Sequence, residues 1–320
     1  MITELMTIPG SGVSYMAFPD AVHLPFNGEI IRSRFTQRKP GELEETAAGY
    51  WVFLQGDSLV LASGALYRGD LPGSFTTQGA PLLFGEWDGE PVRLMTVPAD
   101  QVLPEEFHPV PSTELPDDLM TLHGLARQIL YWERMSRHCS KCGAAMKRVR
   151  LTWGKRCTGC GHEHFPHIHP CIIVLIRRGN EFLLARKPEW IKGRYSLVAG
   201  FLDFGESLEE CVDREVLEET GLTVTNIRYV GSQNWPFPSQ MMAGFVADYA
   251  AGEITIDGEE LEDAQWFSAD SMPQSLPPAR SIARWIIDRF ALGCAEPAAA
   301  LAAAPLGGTV SPAACSNSVI

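Results

Sequence analysis

The stretch that most constrains what this chain can become is residues 200–222, GFLDFGESLEECVDREVLEETGL. A glycine-flanked turn over 200–205 leads into a helix start, where Ser207 and Glu210 have the spacing of a capping box, each side chain satisfying a free backbone N–H near the other. Gly221 stands where a left-handed residue ends a helix. At about 100° per residue, Leu208, Cys211, Val212 and Val216 form one apolar stripe, the face expected to be buried. Glu215 and Glu219 project onto that same stripe, and Glu218 lies at its edge. A carboxylate is costly to bury unless a metal or counter-charge compensates it. Three carboxylates at i, i+3 and i+4 share one side of a helix, and an oxygen cluster of that kind suits Mg²⁺ or Mn²⁺. The plainer alternative is an acidic helix lying in solvent. The glycine turn and the inward direction of two glutamates speak against it.

The segment also matches a known pattern at every defined position: Gly200, five residues, Glu206, seven residues, Arg214-Glu215-Val216, one residue, Glu218-Glu219, one residue, Gly221-Leu222. It resembles the Nudix box, and the chain is in this respect similar to the Nudix hydrolases, which cleave a nucleoside diphosphate linked to another moiety. The resemblance implies an α/β fold, an α/β/α sandwich around a mixed sheet.

A chain of 320 residues has room for about two domains. With 45% hydrophobic and 20% charged residues it reads as an ordinary soluble protein with a sizeable core. No apolar run approaches the roughly 20 residues that span a bilayer, so no membrane partner is expected. The start, MITELMTIPGSGVSY, lacks the basic and apolar segments of a secretory signal. A formal charge of −13 argues against a protein that coats nucleic acid, and leaves room for a local basic site.

Four of the eight cysteines fall as Cys139-x-x-Cys142, fourteen residues, Cys157-x-x-Cys160. Paired CxxC motifs without a secretory signal suggest metal rather than disulfides, and a reducing, cytoplasmic compartment. Four thiolates on two tight turns match one tetrahedral structural Zn²⁺ per chain. His138, His162, His164, His167 and His169 crowd the site and read as neighbours rather than ligands. Cys171 and Cys211, inside apolar runs, read as small buried side chains. Residues 134–156 carry eight Lys or Arg and no Asp or Glu. Two readings stand: a solvated surface, or one that holds phosphate or the body of an RNA.

Four segments are expected: a β-rich N-terminal domain over 1–130 with a connecting helix to about 137, a zinc ribbon over 138–165, the catalytic domain over 166–292, and a disordered Ala/Pro-rich tail over 293–320. Residues 1 to about 45 carry no motif. Residues 50–54, 59–62, 81–84 and 92–97 read as strands, and 119–137 as a helix. The first domain is read as a scaffold or dimerisation unit. In the catalytic domain, 172–176 reads as a central strand, 182–185 as its hairpin partner, 195–199 as the strand entering the glycine turn, and 281–292 as a closing helix.

In Ser232-Gln233-Asn234-Trp235-Pro236-Phe237-Pro238-Ser239-Gln240, prolines and aromatics alternate. That reads as a rigid loop holding Trp235 and Phe237 in set directions. Taken alone, the two rings either plug a core or form a wall that stacks a planar base. The stretch resembles SQPWPFPxS of the NADH pyrophosphatases, a Nudix subfamily, with Asn234 for the first proline and Gln240 for the final serine. That subfamily carries a β-rich N-terminal domain and a four-cysteine zinc ribbon ahead of its Nudix domain, the order found here.

The resemblance implies hydrolysis of NAD(H) and related dinucleotides to NMN(H) and AMP. The same cut applied to NAD-capped RNA leaves a 5′-monophosphate. It also implies a homodimer and two or more Mg²⁺ or Mn²⁺ ions held by Glu215, Glu219, Glu260 and the backbone carbonyl of Ala199. Glu215 or Glu218 orients or deprotonates the water, and Arg214 pairs with Glu218 and Glu206. The nucleotide pocket is implied to comprise Phe165, Gln233, Asn234, Trp235, Pro236, Phe237, Pro238, Ser239, Gln240 and Ala283. The changes at 234 and 240 leave open a broader dinucleotide or ADP-ribose pyrophosphatase. The complete set of box glutamates disfavours a non-catalytic sensor of NAD-derived ligands.

Overall fold

The computed structural model describes residues 20–43, 49–76, 78–256, 258 and 260–293. The expected tail lies outside the described residues from 294 onward, as do residues 1–19. The first sheet comprises β1 (Phe35–Gln37), β2 (Tyr50–Gln55), β3 (Ser58–Ala62), β4 (Tyr67–Arg68), β5 (Gln78–Trp87), β6 (Glu90–Val97) and β7 (Phe107–Pro111), in the order β1-β5-β6-β2-β3-β7 with β4 beside β2. Alternation along β2 sends Val52 and Leu54 to one core and Trp51 and Phe53 to another on the opposite face. Helix α1 (Asp117–Met135) covers the first face with Leu122, Ala126 and Ile129. Asp117 and Asp118 in its first turn oppose the helix dipole favourably.

Three short antiparallel strands follow: β8 (Met146–Val149), β9 (Gly154–Cys157) and β10 (Glu163–His164). They are tied to α1 by Lys155, whose buried Nζ lies 2.8 Å from Glu133 Oε2 and 5.0 Å from the centre of the Trp132 ring.

The last unit contains β11 (His169–Arg178), β12 (Glu181–Arg186), β13 (Val198–Phe201), α2 (Leu208–Thr220), β14 (Thr223–Trp235), β15 (Gln240–Ala251), β16 (Asp263–Ser268) and α3 (Ile282–Ile286). Its sheet runs β14-β15-β11-β12-β16, with β13 beside β11, and is mixed because β11 and β15 are parallel. Strand β11 is a continuous apolar run because both its faces are covered. Ile172, Val174 and Ile176 pack with α2, while Ile173 and Leu175 pack with α3. This is the expected α/β/α sandwich.

Three local expectations need correction. The strand entering the glycine turn begins at Val198, opposite Val174. The residues before it are held only by isolated bridges, Ser196 to Ala185 and Arg194 to Ser275. The closing helix is one short α segment followed by a π turn over Ile287–Ala291. Residues 232–240 form the tip of a hairpin rather than a loop, with Gln233 opposite Met242 and Trp235 opposite Gln240. Strand alternation therefore decides which of these side chains share a face.

The two large sheets share one plan. The order β5-β6-β2-β3-β7 with β4 beside β2 repeats as β14-β15-β11-β12-β16 with β13 beside β11. Parallel pairing falls at the equivalent place in each, β2 with β6 and β11 with β15. The difference is chemical: no helix occurs among the described residues between β4 and β5, where the second unit carries the glutamates of α2.

Candidate active site

Helix α2 starts on the expected capping box, with Ser207 Oγ accepting from Glu210 N and Glu210 Oε2 accepting from Ser207 N at 2.7 Å. It stops at Gly221, whose φ of 71° is left-handed. Its inner face carries Cys211, Val212 and Val216 together with Glu215 and Glu219, 9% and 4% exposed. The Glu215 carboxylate lies against β13 so closely that a Cβ at Gly200 would sit 1.9 Å from its Cδ. Only glycine leaves room for it there.

Arg214 organises the rest of the box. It forms an ion pair with Glu206 through Nε, and its Nη2 donates to Glu206 Oε2 and to the Phe201 carbonyl, each at 2.9 Å. Its Nη1 donates to Glu215 Oε1 and Glu218 Oε2, each at 2.9 Å. The guanidinium beside Glu206 holds that carboxyl down to about 2, and these carboxylates, Glu206 foremost, raise Arg214 well above its ordinary value. Glu206 is thus a structural anchor, while the Glu218 side chain is 59% exposed at the helix edge.

Glu219 differs from these. Both of its carboxylate oxygens are buried without a hydrogen-bond partner, and burial pushes its carboxyl up to about 8, with the charges of Glu215 and Glu260 adding to the shift. Burial raises Glu215 as well, against the opposing pull of Arg214. An orphaned buried carboxylate beside two further carboxylates is a poor arrangement for a bare protein and a suitable one for divalent cations. Hard oxygen donors of this kind match the divalent metal that the fold family implies.

Glu215 and Glu260 of this cluster line a cavity of about 900 Å³. Glu215, Glu260, Arg214, Ala199 and Gly200 stand at its polar end, and Ile173, Trp235, Met242, Ile282 and Ala283 line its apolar part. Glu260, 62% exposed, approaches Lys187 Nζ at 3.8 Å.

Of the residues expected to bind substrate, Gln233, Trp235, Gln240 and Ala283 line this cavity. The Gln233 side chain is already engaged: Nε2 donates to the carbonyls of Pro25 and Arg280, and Oε1 accepts from Ile282 N at 2.8 Å. Asn234 faces the other way, its N–H donating to Asn27 Oδ1 at 2.8 Å. Ser239 is buried with its Oγ 2.9 Å from His169 Nδ1. Pro236 and Pro238 line a different cavity, and Phe237 packs edge-on against Phe26 at 5.4 Å. Phe165 is exposed and lies against Gly154 of the ribbon. The rings of Trp235 and Phe237 thus part company: both touch the core of the first unit, and only Trp235 also reaches the cavity.

Among the cavity residues that the sequence left unassigned are Lys187, Trp190 and Arg194, all from the segment between β12 and β13. Arg194 Nε is buried with no hydrogen-bond partner. The available signal was the basic, aromatic run Lys187-Pro-Glu-Trp190-Ile-Lys-Gly-Arg194 just ahead of the box.

The second candidate centre is the ribbon. Its four Sγ atoms lie within 4.8 Å of one another, with Cys139 to Cys160 at 3.7 Å and Cys142 to Cys157 at 3.4 Å. Tetrahedral zinc with Zn–S near 2.3 Å asks for S···S near about 3.8 Å. Backbone N–H groups of Cys160 and Gly159 point at Cys157 Sγ and, the Cys160 N–H foremost, bring that thiol down to about 6, which favours the ligating thiolate. Among the described residues the cluster contains no histidine. The four cysteines form a structural zinc site.

Comparison with known proteins agrees with this architecture in every unit. Residues 167–290 match the NUDIX domain model, 134–165 the NADH pyrophosphatase zinc ribbon domain, and 48–132 the NADH pyrophosphatase-like rudimentary NUDIX domain. The last of these explains the repeated sheet plan. The NAD-capped RNA hydrolase NudC of Pseudomonas aeruginosa (strain LESB58) is 43% identical over 263 residues, covering 78% of this chain and 92% of its own length. That of Pseudomonas fluorescens (strain Pf-5) is 44% identical over 268 residues, covering 80% of this chain and 95% of its own. A solved NUDIX hydrolase from Nitrosomonas europaea aligns with 43% of this chain and 80% of its own at 24% identity, with a TM-score of 0.38. With three domain models in order and relatives matched along nearly their whole length, the chain belongs to the NADH pyrophosphatase family of Nudix hydrolases.

Proposed function

We propose that this enzyme hydrolyses the pyrophosphate of NAD(H) to NMN(H) and AMP, and by the same cut removes an NAD cap from RNA to leave a 5′-monophosphate end. The observation that carries the reading is Glu219, buried with two unpartnered oxygens on the same helix face as Glu215, which with Glu260 lines a cavity large enough for a dinucleotide. Glu215, Glu219 and Glu260, with the carbonyl of Ala199, would hold two or more Mg²⁺ or Mn²⁺. Bound there, such ions neutralise phosphate charge and acidify water. Glu218, hydrogen-bonded to Arg214 and otherwise in solvent, is left free to orient or deprotonate the attacking water. Lys187, 3.8 Å from Glu260, and Arg194 add positive charge for the pyrophosphate within the same cavity. Trp235, with Ile282 and Ala283, offers the apolar surface for a base.

The change from proline at 234 does not argue for a different substrate. Asn234 uses the N–H that proline lacks to bond Asn27, away from the cavity. The four-thiolate zinc site and the free thiols of Cys171 and Cys211 suit the reducing cytoplasm. The large apolar side chains Phe165, Ile168, Phe201 and Phe204 are exposed, which supports the homodimer. Light scattering should then give twice the 35.2 kDa chain mass, and a monomer at micromolar concentration would refute it.

The deciding experiment is Glu219→Gln. Turnover of NADH with Mn²⁺ or Mg²⁺ should fall by at least about 1,000-fold, while zinc content is unchanged and the metal-free protein melts no lower than wild type. Activity within a factor of about ten of wild type would remove Glu219 from the machinery.

A further inference from the structure

A second cavity, of about 770 Å³, opens between the first sheet, the later half of α1 and the ribbon. Leu54, Leu82 and Leu94 form its floor. Its walls are cationic: Arg127 and Arg134 come from α1, Arg137 from the turn just after it, Arg148 from β8 and Lys155 from β9. Its lining carboxylates are Asp57 and Glu133, so five cations face two anions, a local excess of three in a chain of net charge −13.

The ion pairs do not consume that excess. Asp57 is taken by Arg127, and Glu133 by Lys155 at 2.8 Å and Arg148 at 3.0 Å. The Arg134 and Arg137 guanidiniums make no ion pair or hydrogen bond among the described residues. Positions 127, 130, 131 and 134 fall at i, i+3, i+4 and i+7, one stripe of the helix turned toward the cavity, and Arg137 follows just beyond the helix end. Two of these four helical positions are arginines, and a third is Tyr131.

The cavity also has a fixed relation to the catalytic one. The hairpin tip between β14 and β15 is a wall common to both: Trp235 and Gln240 line the catalytic cavity, Pro236 and Pro238 the second. Arg127 lies 5.7 Å from the centre of the Phe237 ring in the same tip.

We propose that the second cavity binds the phosphodiester backbone of the RNA that follows the cap, the hairpin tip separating the capped dinucleotide from the next nucleotides. This rests on the capped-RNA arm of the function proposed above. Guanidinium forks match phosphate oxygens two at a time, and Tyr131 presents a ring on which an unpaired base can stack. The basic stretch of residues 134–156 thereby acquires a role, since four of its eight cations converge here.

The test compares wild type with the double variant Arg134→Gln/Arg137→Gln on two substrates, NADH and a short single-stranded NAD-capped RNA, at low and physiological salt. NADH kcat/KM should stay within about twofold. On capped RNA it should fall about tenfold or more at low salt, and each lost phosphate contact should flatten the dependence of log affinity on log salt by about 0.7. Arg134→Lys/Arg137→Lys, which keeps the charge and loses the fork, should recover the salt slope and only part of the rate. An unchanged rate on capped RNA, or equal losses on both substrates, overturns the site. If wild type hydrolyses NADH and not capped RNA, the decapping arm fails by itself. The cavity is then judged by fluorescence anisotropy with 5′-monophosphate RNA. Binding lost in the Gln variant alone supports it; equal binding by both proteins, or none by wild type, overturns it.

Discussion

A single residue shows how tightly the site is built. Gly200 is required not for its backbone freedom but for its missing side chain, since the Glu215 carboxylate occupies the space a Cβ would take. Gly200→Ala should therefore move the carboxylate rather than unfold the chain. Overpacking of this size costs about 1–3 kcal/mol, whereas a misplacement of about 1 Å in a catalytic group can cost about 100-fold in rate. NADH turnover should drop on that order while the melting curve stays cooperative; an alanine variant with wild-type kcat would show that Glu215 need not lie there. Glu219 makes the complementary case. Its burial without a partner has no stabilising role in the bare protein, and its presence on an apolar stripe was the clearest signal of chemistry in the whole sequence. Lys187, Trp190 and Arg194 gave only the weaker signal of a basic, aromatic run, because nothing local distinguishes a surface loop from one that folds over a cavity.

Helices carry the second level of organisation. The period of α2, its capping box and its glycine stop are local features, and the structure reproduces them residue by residue. Helix α1 has a similar apolar face, on which the ionisable ring of His123 is fully buried. Burial, foremost, pushes its ring down from the usual 6.5 to about 4, with Arg127 acting in the same direction. The neutral ring is the form the fold accepts. Its contribution to stability is therefore complete above pH 6.5 and is lost as pH falls through 6.5 toward 4. Between pH 7.5 and pH 5 this one group should cost about 2 kcal/mol. His123→Leu, measured beside wild type by chemical denaturation at both pH values, should lack that increment, and equal pH dependence of the two proteins would exclude it.

At the scale of the molecule, one sheet plan is used twice, and only the second copy received the carboxylate helix. The segment ahead of the first copy serves the second through residues that looked featureless. Ala21 and Leu24 enter the core beside α3, while Asn27 donates to the carbonyls of Ala21 and Ser232 and accepts from Asn234 N. Asn27→Ala leaves three buried or half-buried backbone groups without that partner. A loss of about 1–3 kcal/mol is expected, with a several-fold higher KM for NADH as the hairpin tip loosens and an unchanged Mn²⁺ requirement. A KM equal to that of wild type would separate the N-terminal segment from the nucleotide pocket.

What the sequence determined by itself is whatever depends on neighbours along the chain. The box helix and its inward glutamates, the two cysteine knuckles and the doubly buried strand β11 each follow from side-chain period, cap chemistry or ligand spacing over a few turns. What only the tertiary structure decided is which way the proline-aromatic tip of residues 232–240 faces. Gln233 is committed to the carbonyl of Pro25, 208 positions away, Phe237 leans on Phe26, and Pro236 and Pro238 turn toward a basic cavity supplied by α1 and the ribbon. Pro25 and Phe26 come from a segment with no pattern of its own, and α1 and the ribbon, each legible locally, meet the tip only through the packing of two sheets. Loop closure across such distances leaves no periodic trace in the amino-acid order.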